Sequence, residues 1–190
     1  MKHAVMTGLS EADYLEGERA SQIRHEYVSG EVFATAGASE RKNRIAGNIF
    51  FPLRSATRGK TCRAFMADMK PRLTSGTPYY YPDAMLVCDP ADDHPIYKQS
   101  PCFIAEVLSP ATASIDVREK LAAYRGLASL RYYPLVDSER LWAKMFFRDE
   151  HGAWFEQELS PEDRVDVVCG DARLALSLDD FYEDTGLLVV

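Results

Sequence analysis

The sequence contains no long apolar run and few cysteines. None of its apolar stretches approaches the roughly 20 residues that a membrane-spanning helix requires. The segment from Met1 to Gly8 lacks the apolar centre of a signal peptide, so we expect a cytoplasmic protein. The four cysteines form no C-x-x-C pair, and three lie in strand-like runs, where buried free thiols are common. We therefore expect neither a zinc cluster nor a disulfide framework from Cys62, Cys88, Cys102 and Cys169.

Several frequent catalytic signatures are also missing. The four histidines form no H-E-x-x-H pattern, which two zinc ligands on one helix face would require. The sequence has no G-x-S-x-G nucleophile elbow and no glycine-rich P-loop. These absences argue against a zinc protease, an α/β-hydrolase and a P-loop nucleotide hydrolase.

The composition is that of a globular protein with an uneven charge distribution. The chain has 190 residues, 46% of them hydrophobic and 27% charged, which suits one domain with a single core. Although the net charge is −7, the stretch from Ala38 to Gly76 holds nine basic residues against two acids. From Asp149 onward, twelve acids face two arginines. One face is therefore expected to be positive and suited to phosphate, the alternative being a solvated helix face beside an acidic tail.

Local patterns in the N-terminal half predict two helices and a hairpin. Ser10 with Asp13 resembles a capping box and begins a short helix that reaches Leu15 and ends at Gly17. A hairpin is predicted from His25 to Thr35, because Ser29-Gly30 supplies the positive φ of a tight turn. Ser39 caps a helix toward Thr57, which Pro52 is expected to kink or end early.

The remaining chain reads mostly as strands. Short apolar or alternating runs predict strands at 62–67, 69–73, 81–88, 103–108, 132–137, 141–148, 154–159 and 173–178. A helix is expected to start at Asp116 and reach Ala128, and a last helical turn covers 178–182. Pro134 removes a ladder donor and so predicts an edge strand or a bulge. Together these elements predict a single α/β or α+β domain with a mixed sheet.

Two acidic residues occupy the most apolar of these strands. Asp83 lies near the start of the run 81–88 and Glu106 lies inside 103–108, and both runs are predicted to be buried strands. A carboxylate in a buried strand is costly unless a partner neutralises it. Two such strands would bring both acids to one edge of a sheet, where a divalent cation is an effective way to hold them together. This pattern predicts a metal site.

Seven separated stretches, which together span nearly the whole chain, form a recognisable series: 24–33, 36–39, 68–70, 80–83, 106–110, 119–125 and 135–137. Their joint order, more than any one piece, resembles the PD-(D/E)XK nuclease superfamily. More narrowly, it resembles the bacterial family of restriction endonuclease-like proteins called Uma-two.

The resemblance implies a restriction-endonuclease-like core with a mixed central sheet flanked by helices and extra β-hairpins at both ends. On that basis we expect residues 39–137 to form the nuclease core of a single domain spanning 1–190. Residues 1–35 would form an N-terminal helix and hairpin extension, and residues 141–190 a C-terminal β extension.

The resemblance also implies the chemistry. Asp83, Glu106 and the carbonyl of Val107 would hold Mg²⁺ or Mn²⁺, the hard cations that oxygen ligands suit. The superfamily usually has a lysine two positions after the second acid, but this sequence has Leu108 there. The family places the lysine on the following helix, which corresponds to Lys120. Glu31 is a candidate accessory acid and Glu26 a weaker one.

The implied function is Mg²⁺-dependent hydrolysis of DNA phosphodiester bonds by metal-activated water. The basic residues Arg41, Lys42, Arg44 and Lys70 are candidates for phosphate contacts. A homodimer is expected, since the two strands of a duplex are related by local symmetry. Two alternatives remain open, namely a catalytically inactive module on the nuclease scaffold and a metal-dependent hydrolase of another phosphoester.

Each site residue also has a purely structural interpretation. Asp83 would cap a turn, Glu106 would pair with a core lysine or arginine, and Lys120 would pair with Asp116 on an exposed helix face. Glu31 would be an exposed strand residue. Asp68 reads as a turn residue more than as a site acid, and Lys70 is a lesser candidate for the catalytic lysine.

Overall fold

The computed structural model describes residues 4–35, 37–73, 78–110 and 119–188. A six-stranded mixed sheet has the order β10-β9-β8-β7-β5-β3. Its strands are β3 (Arg63–Met66), β5 (Ala84–Val87), β7 (Pro101–Leu108), β8 (Tyr132–Asp137), β9 (Ala143–Arg148) and β10 (Trp154–Glu158). All pairings in this sheet are antiparallel except that of β7 with β8, which is parallel.

Three two-stranded units complete the β-structure. They are β1 (His25–Val28) with β2 (Glu31–Ala34), β4 (Lys70–Pro71) with β6 (Tyr97–Lys98), and β11 (Arg164–Cys169) with β12 (Ala172–Ser177). The predicted hairpin turn is confirmed, since Ser29 and Gly30 both have positive φ, at 50° and 89°. The mixed α+β fold with extra hairpins toward both ends is therefore as predicted.

Four helices lie in the described part of the chain: α1 (Glu11–Ala20), α2 (Glu40–Ala56), α3 (Leu121–Arg125) and α4 (Leu178–Tyr182). The hydroxyl of Ser10 caps α1 and that of Ser39 caps α2. None of the helices in the described segments is long and apolar enough to cross a membrane. The predicted helix start at Asp116 lies outside the described residues.

The central sheet separates two apolar clusters because alternate side chains of a strand point to opposite faces. On one face, Phe103, Ala105 and Val107 pack with α2, α4 and the β11–β12 hairpin. On the other face, Ile104 and Leu108 pack around α3. The β7 strand is buried along its whole length, so its one charged residue is enclosed by the fold.

The N-terminal elements form a separate cluster of stacked tyrosines. Tyr14, Tyr27 and Tyr79 are each at most 3% exposed, and the rings of Tyr14 and Tyr27 stack with centroids 4.8 Å apart. At its rim, Glu11 accepts hydrogen bonds from Tyr79 at 2.5 Å and from Arg72 at 2.9 Å. Burial raises the pKa of Glu11, but these two hydrogen bonds outweigh it and hold the pKa below its usual value.

Two local predictions were wrong, and Pro52 does not end its helix early. The helix α1, predicted to end at Gly17, continues to Ala20. The helix α2 runs through Pro52 to Ala56, next to the predicted limit at Thr57. It continues past the proline because Ile45, Ile49 and Leu53, on both sides of it, are completely buried in the core. Pro134 lies in β8, which is an interior strand flanked by β7 and β9 rather than an edge strand. The two pairings of β8 outweigh one missing ladder donor.

Sequence patterns also missed β6 and β11, which are held by pairing with partner strands.

The cysteines also depart in part from expectation. Cys62 and Cys88 form a disulfide, because the pairing of Arg63 with Val87 in β3 and β5 brings these flanking residues face to face. Cys102 and Cys169 are free and buried. Cys102 lies beside the disulfide, with its Sγ 3.7 Å from that of Cys88. Four cysteines that are scattered in sequence therefore meet at one end of the sheet.

Candidate functional site

The sheet places the two predicted acids on neighbouring strands. Asp83 immediately precedes β5, and Glu106 lies in β7, which pairs antiparallel with it. Because Ala84 is opposite Ala105, the position of Asp83 is opposite that of Glu106. The main-chain N–H of Asp83 donates to the Ala105 carbonyl at 3.1 Å, and the Val107 N–H donates to Asp83 Oδ2 at 2.7 Å. The Asp83 carboxylate is thus fixed against the peptide that follows Glu106.

The ammonium of Lys42, a residue of α2, contacts the Asp83 carboxylate. Its Nζ is 3.1 Å from Asp83 Oδ2 and donates to the Val107 carbonyl at 2.8 Å. The side chains of Lys42 and Asp83 are 17% and 16% exposed, so the pair is largely shielded from water. One ammonium therefore bridges a carboxylate oxygen and a main-chain oxygen where β7 ends beside the start of β5.

A second, more deeply buried group surrounds Glu106. Lys120 Nζ lies 3.1 Å from Glu106 Oε1 and 2.9 Å from Glu26 Oε1. The hydroxyl of Tyr124 donates to the same Glu106 oxygen at 2.9 Å. Glu26, Glu106 and Lys120 are each at most 4% exposed. Lys120 is therefore not a surface lysine, and it joins β1, β7 and the start of α3.

The surroundings of this buried group are aromatic. Lys120 Nζ lies 5.2 Å from the centroid of the Tyr80 ring, within reach of a cation–π contact. Burial, and after it the negative charge of Glu106, raise the pKa of Tyr124. Burial likewise raises the pKa of Tyr80. Both phenols therefore stay protonated, and Tyr124 acts as a hydrogen-bond donor to Glu106.

The other predicted site residues differ in burial and in their partners. Glu31 is exposed beside the hairpin turn, whereas Glu26 on the paired strand is buried against Lys120. Asp68 forms an ion pair with Arg24 at 2.7 Å. Lys70 is 4% exposed, its Nζ donates to the Tyr81 hydroxyl at 2.9 Å, and burial lowers its pKa. Lys70 therefore does not present its ammonium at the surface.

Two predicted phosphate-binding residues border an open cleft. Arg41 pairs with Glu139 at 3.0 Å and Arg44 pairs with Glu40 at 3.3 Å. Both arginines line a cleft of about 360 Å³ beside the start of α2, together with Ser39, Glu40, Glu139, Asp184 and Thr185. The start of α2 thus places the Lys42 ammonium on Asp83 and the side chains of Arg41 and Arg44 at the cleft.

Sequence reasoning missed two contributions and underrated a third. Lys42 was expected to meet phosphate, but its ammonium contacts Asp83. Tyr124 was predicted only as part of an apolar stripe, yet its hydroxyl contacts Glu106. Glu26 was ranked below Glu31. No local signal distinguished Glu26, because His25-Glu-Tyr-Val28 is a strand of mixed polarity and the burial of its acid depends on the fold.

The oxygen atoms at the end of β7 and the start of β5 are of the kind that bind a hard divalent cation. Asp83 Oδ2 and the Val107 carbonyl oxygen both contact the Lys42 ammonium. Glu106 carries a second carboxylate at the strand position opposite Asp83. Carboxylate and carbonyl oxygens are the ligands that Mg²⁺ and Mn²⁺ favour. Within the described ranges, no group of three or more His, Cys, Asp or Glu side chains is arranged to hold a metal. The fit therefore rests on two carboxylates and one main-chain carbonyl.

Comparison with known proteins shows the fold and the family of this chain. The fold matches the crystal structure of a putative nuclease belonging to DUF820 from Anabaena variabilis, with a TM-score of 0.71, 15% identity, and coverage of 92% of this chain and 97% of that one. At that identity the match shows a shared fold. The chain belongs to the Uma2 family, described as putative restriction endonuclease, which it matches over residues 11–178. The predicted family is thereby confirmed.

Two relatives come from Synechocystis sp. The first is the uncharacterized protein slr1290, 28% identical over 175 residues that cover 92% of this chain and 91% of that protein. The second is the uncharacterized protein sll1609, 31% identical over 132 residues that cover 68% of this chain and 75% of that protein. The first of these matches extends over nearly the full length of both chains.

Proposed function

We propose that this protein is a divalent-metal-dependent nuclease that hydrolyses DNA phosphodiester bonds. One observation carries the proposal: Asp83 Oδ2 and the Val107 carbonyl oxygen contact a single positive charge, and the buried Glu106 lies at the strand position opposite Asp83. Membership in a family of putative restriction endonucleases supports the same reaction class.

Asp83, Glu106 and the Val107 carbonyl would hold Mg²⁺ or Mn²⁺. When bound, such an ion acts as a Lewis acid on the phosphate and lowers the pKa of the attacking water. Tyr124 and Lys120 both donate to Glu106 Oε1 and so fix the orientation of that carboxylate. Lys120 also supplies a fixed positive charge beside the site, which stabilises the negative charge that develops on the phosphate.

Glu26 is the accessory acid in this proposal. It lies 2.9 Å from Lys120 and is buried, whereas Glu31 is exposed at the turn. A second carboxylate, 2.9 Å from Lys120 Nζ, holds the ammonium in place and limits its rotation. Glu26 therefore acts through Lys120 as a positioning residue.

DNA would approach along the first turn of α2. Arg41 and Arg44 border the open cleft there and are 37% and 44% exposed, so their guanidinium groups are accessible to phosphate. Phosphate contacts of this kind position a duplex without reading its sequence. A homodimer would present two such sites to the two strands.

Plasmid nicking tests the proposal. Purified protein is incubated with supercoiled plasmid and Mg²⁺ or Mn²⁺, and the conversion to open-circular and linear forms is measured. We expect Asp83→Asn and Glu106→Gln each to lower the rate about 100-fold or more, because each removes a charge that holds the ion. Glu158→Gln, at an exposed position of β10, is the matched control and should retain the rate. Cleavage that survives Asp83→Asn would contradict the assignment.

One observation favours the alternative of a non-catalytic binding module. Leu108 replaces the usual lysine and is packed with Tyr124, Leu127 and Leu130 in an apolar cluster. DNA binding in a gel-shift assay, without cleavage under any divalent cation, would support that module. Hydrolysis of a small phosphoester such as bis-p-nitrophenyl phosphate, without plasmid cleavage, would support a hydrolase of another substrate.

A further inference from the structure

The capped start of α2 fixes the backbone position of Lys42. Lys42 is the third residue of α2, and its main-chain N–H donates to the Ser39 hydroxyl at 3.2 Å, which completes the helix cap. The capped turn fixes the starting point of the side chain, and Nζ reaches the sheet edge 65 positions away in sequence, at Val107. The contact is therefore a tertiary one made by a rigid element.

The oxygens that contact Lys42 are the ones that the proposed function assigns to the metal ion. Nζ lies 3.1 Å from Asp83 Oδ2 and 2.8 Å from the Val107 carbonyl oxygen. An ammonium and a divalent cation repel each other, so contact of both with the same two oxygens is unfavourable. Because the pair is largely shielded from water, the repulsion is screened less than at a surface.

The usual lysine position cannot supply this charge. Leu108 is 4% exposed and lies in the apolar cluster on the α3 side of the sheet. Lys120 contacts Glu106 and Glu26, and Lys42 contacts Asp83. Each acid of the candidate site therefore has a lysine from a different helix segment.

We propose that Lys42 is an internal counter-cation, which occupies the metal position of the metal-free protein and leaves it when the ion binds. The inference rests on the proposed function, because it needs a metal at Asp83 and Val107. Displacement turns the Lys42 ammonium away from Asp83 toward the rim, where Arg41 and Arg44 already border the open cleft. Metal binding would in this way add a third cation to the surface that meets phosphate.

Metal affinity tests the inference without any measurement of cleavage. Mn²⁺ is titrated into wild type, Lys42→Met, Lys42→Arg and Asp83→Asn, and free Mn²⁺ is followed by electron paramagnetic resonance. We expect Lys42→Met to bind Mn²⁺ about tenfold more tightly than wild type or better, because the competing charge is gone. Lys42→Arg keeps the charge and should stay near wild type, while Asp83→Asn should lose binding.

Lys144→Met is the matched control for the loss of one lysine. Its Nζ also lies 3.1 Å from a carboxylate, that of Glu156, but on the β9–β10 hairpin. This variant should leave Mn²⁺ affinity unchanged. If Lys42→Met and Lys144→Met both bind Mn²⁺ more tightly than wild type, net charge alone sets the affinity and the inference is overturned.

A second measurement needs no substitution at Lys42. Wild-type protein is acetylated briefly with N-hydroxysuccinimidyl acetate at increasing Mn²⁺, and each lysine is quantified by peptide mass spectrometry. We expect Lys42 acetylation to rise several-fold and to saturate with the Mn²⁺ binding curve, while Lys144 stays constant. A Lys42 reactivity that is unchanged or falls would overturn the displacement.

The outcomes separate the two proposals. One outcome is that wild type binds Mn²⁺ through Asp83 while Lys42→Met has the same Mn²⁺ affinity and Lys42 acetylation does not change with Mn²⁺. In that case the counter-cation inference is wrong and the metal site stands. If Lys42→Met binds Mn²⁺ and wild type does not, both are supported. If no variant binds Mn²⁺, the metal-dependent function is wrong, and with it the inference.

Discussion

Replacing Lys120 by methionine is the sharpest test of the buried charge group. The substitution keeps an unbranched side chain of similar length but removes the ammonium that lies 2.9 Å from Glu26 and 3.1 Å from Glu106. All three residues are at most 4% exposed, so water cannot readily compensate for the lost charge. Breaking a buried ion pair on one side costs about 3–5 kcal/mol, and we expect Lys120→Met to lower the unfolding free energy by that amount.

The matched control is Lys144→Met, which breaks a pair of the same length at the surface. Lys144 lies 3.1 Å from Glu156, with side chains 26% and 55% exposed. Exposed pairs contribute roughly 0–1 kcal/mol, so this variant should remain close to wild type. Unfolding is followed in urea by tryptophan fluorescence and by far-ultraviolet circular dichroism. The dependence of the unfolding free energy on urea concentration must be the same in all variants, because only then does a shifted midpoint report a change in stability.

Neutralising the acids separates charge from packing. In Lys120→Met combined with Glu26→Gln and Glu106→Gln, no uncompensated carboxylate remains, so much of the lost stability should return. A Lys120→Met variant within about 1 kcal/mol of wild type would refute the reasoning, since surface pairs have that size. A triple variant no more stable than Lys120→Met alone would show that packing, and not charge, sets the cost.

Three further predictions concern other contacts. Tyr124→Phe removes a hydrogen bond to the Glu106 carboxylate and should cost about 1.5–3 kcal/mol in urea unfolding; no change would mean that this bond is not formed in solution. The pKa of Glu11 is lowered in the folded state, so its contribution is complete above its ordinary value of 4.5 and is lost as pH falls through the folded pKa. Glu11→Gln should therefore flatten the acid limb of melting temperature against pH, and an unchanged limb would contradict this. Cys62→Ser removes a disulfide that spans 26 positions and should cost about 3 kcal/mol, and a reducing agent should destabilise wild type but not the variant.

Short-range patterns determined the elements that hold the candidate site. The apolar runs around Asp83 and Glu106 are β5 and β7, and their acids lie at opposite positions of neighbouring strands. The serine caps of α1 and α2 and the Ser29-Gly30 turn lie at the residues that local sequence patterns predicted. These features are readable because capping, turn φ angles and hydrophobic periodicity depend on a few adjacent residues.

Only the tertiary structure decided which charges meet. No spacing in the sequence links Lys42 to Val107, or Lys120 to Glu26, because these contacts arise from the packing of helices against opposite faces of the sheet. The Cys62–Cys88 bond likewise follows from cross-strand register, and the interior place of β8 from its two neighbours. Register and strand order are set by summed long-range burial, which outweighs single local penalties such as a missing donor at a proline. The sequence by itself therefore determined the acids and their strands, and the fold determined the partner of each acid.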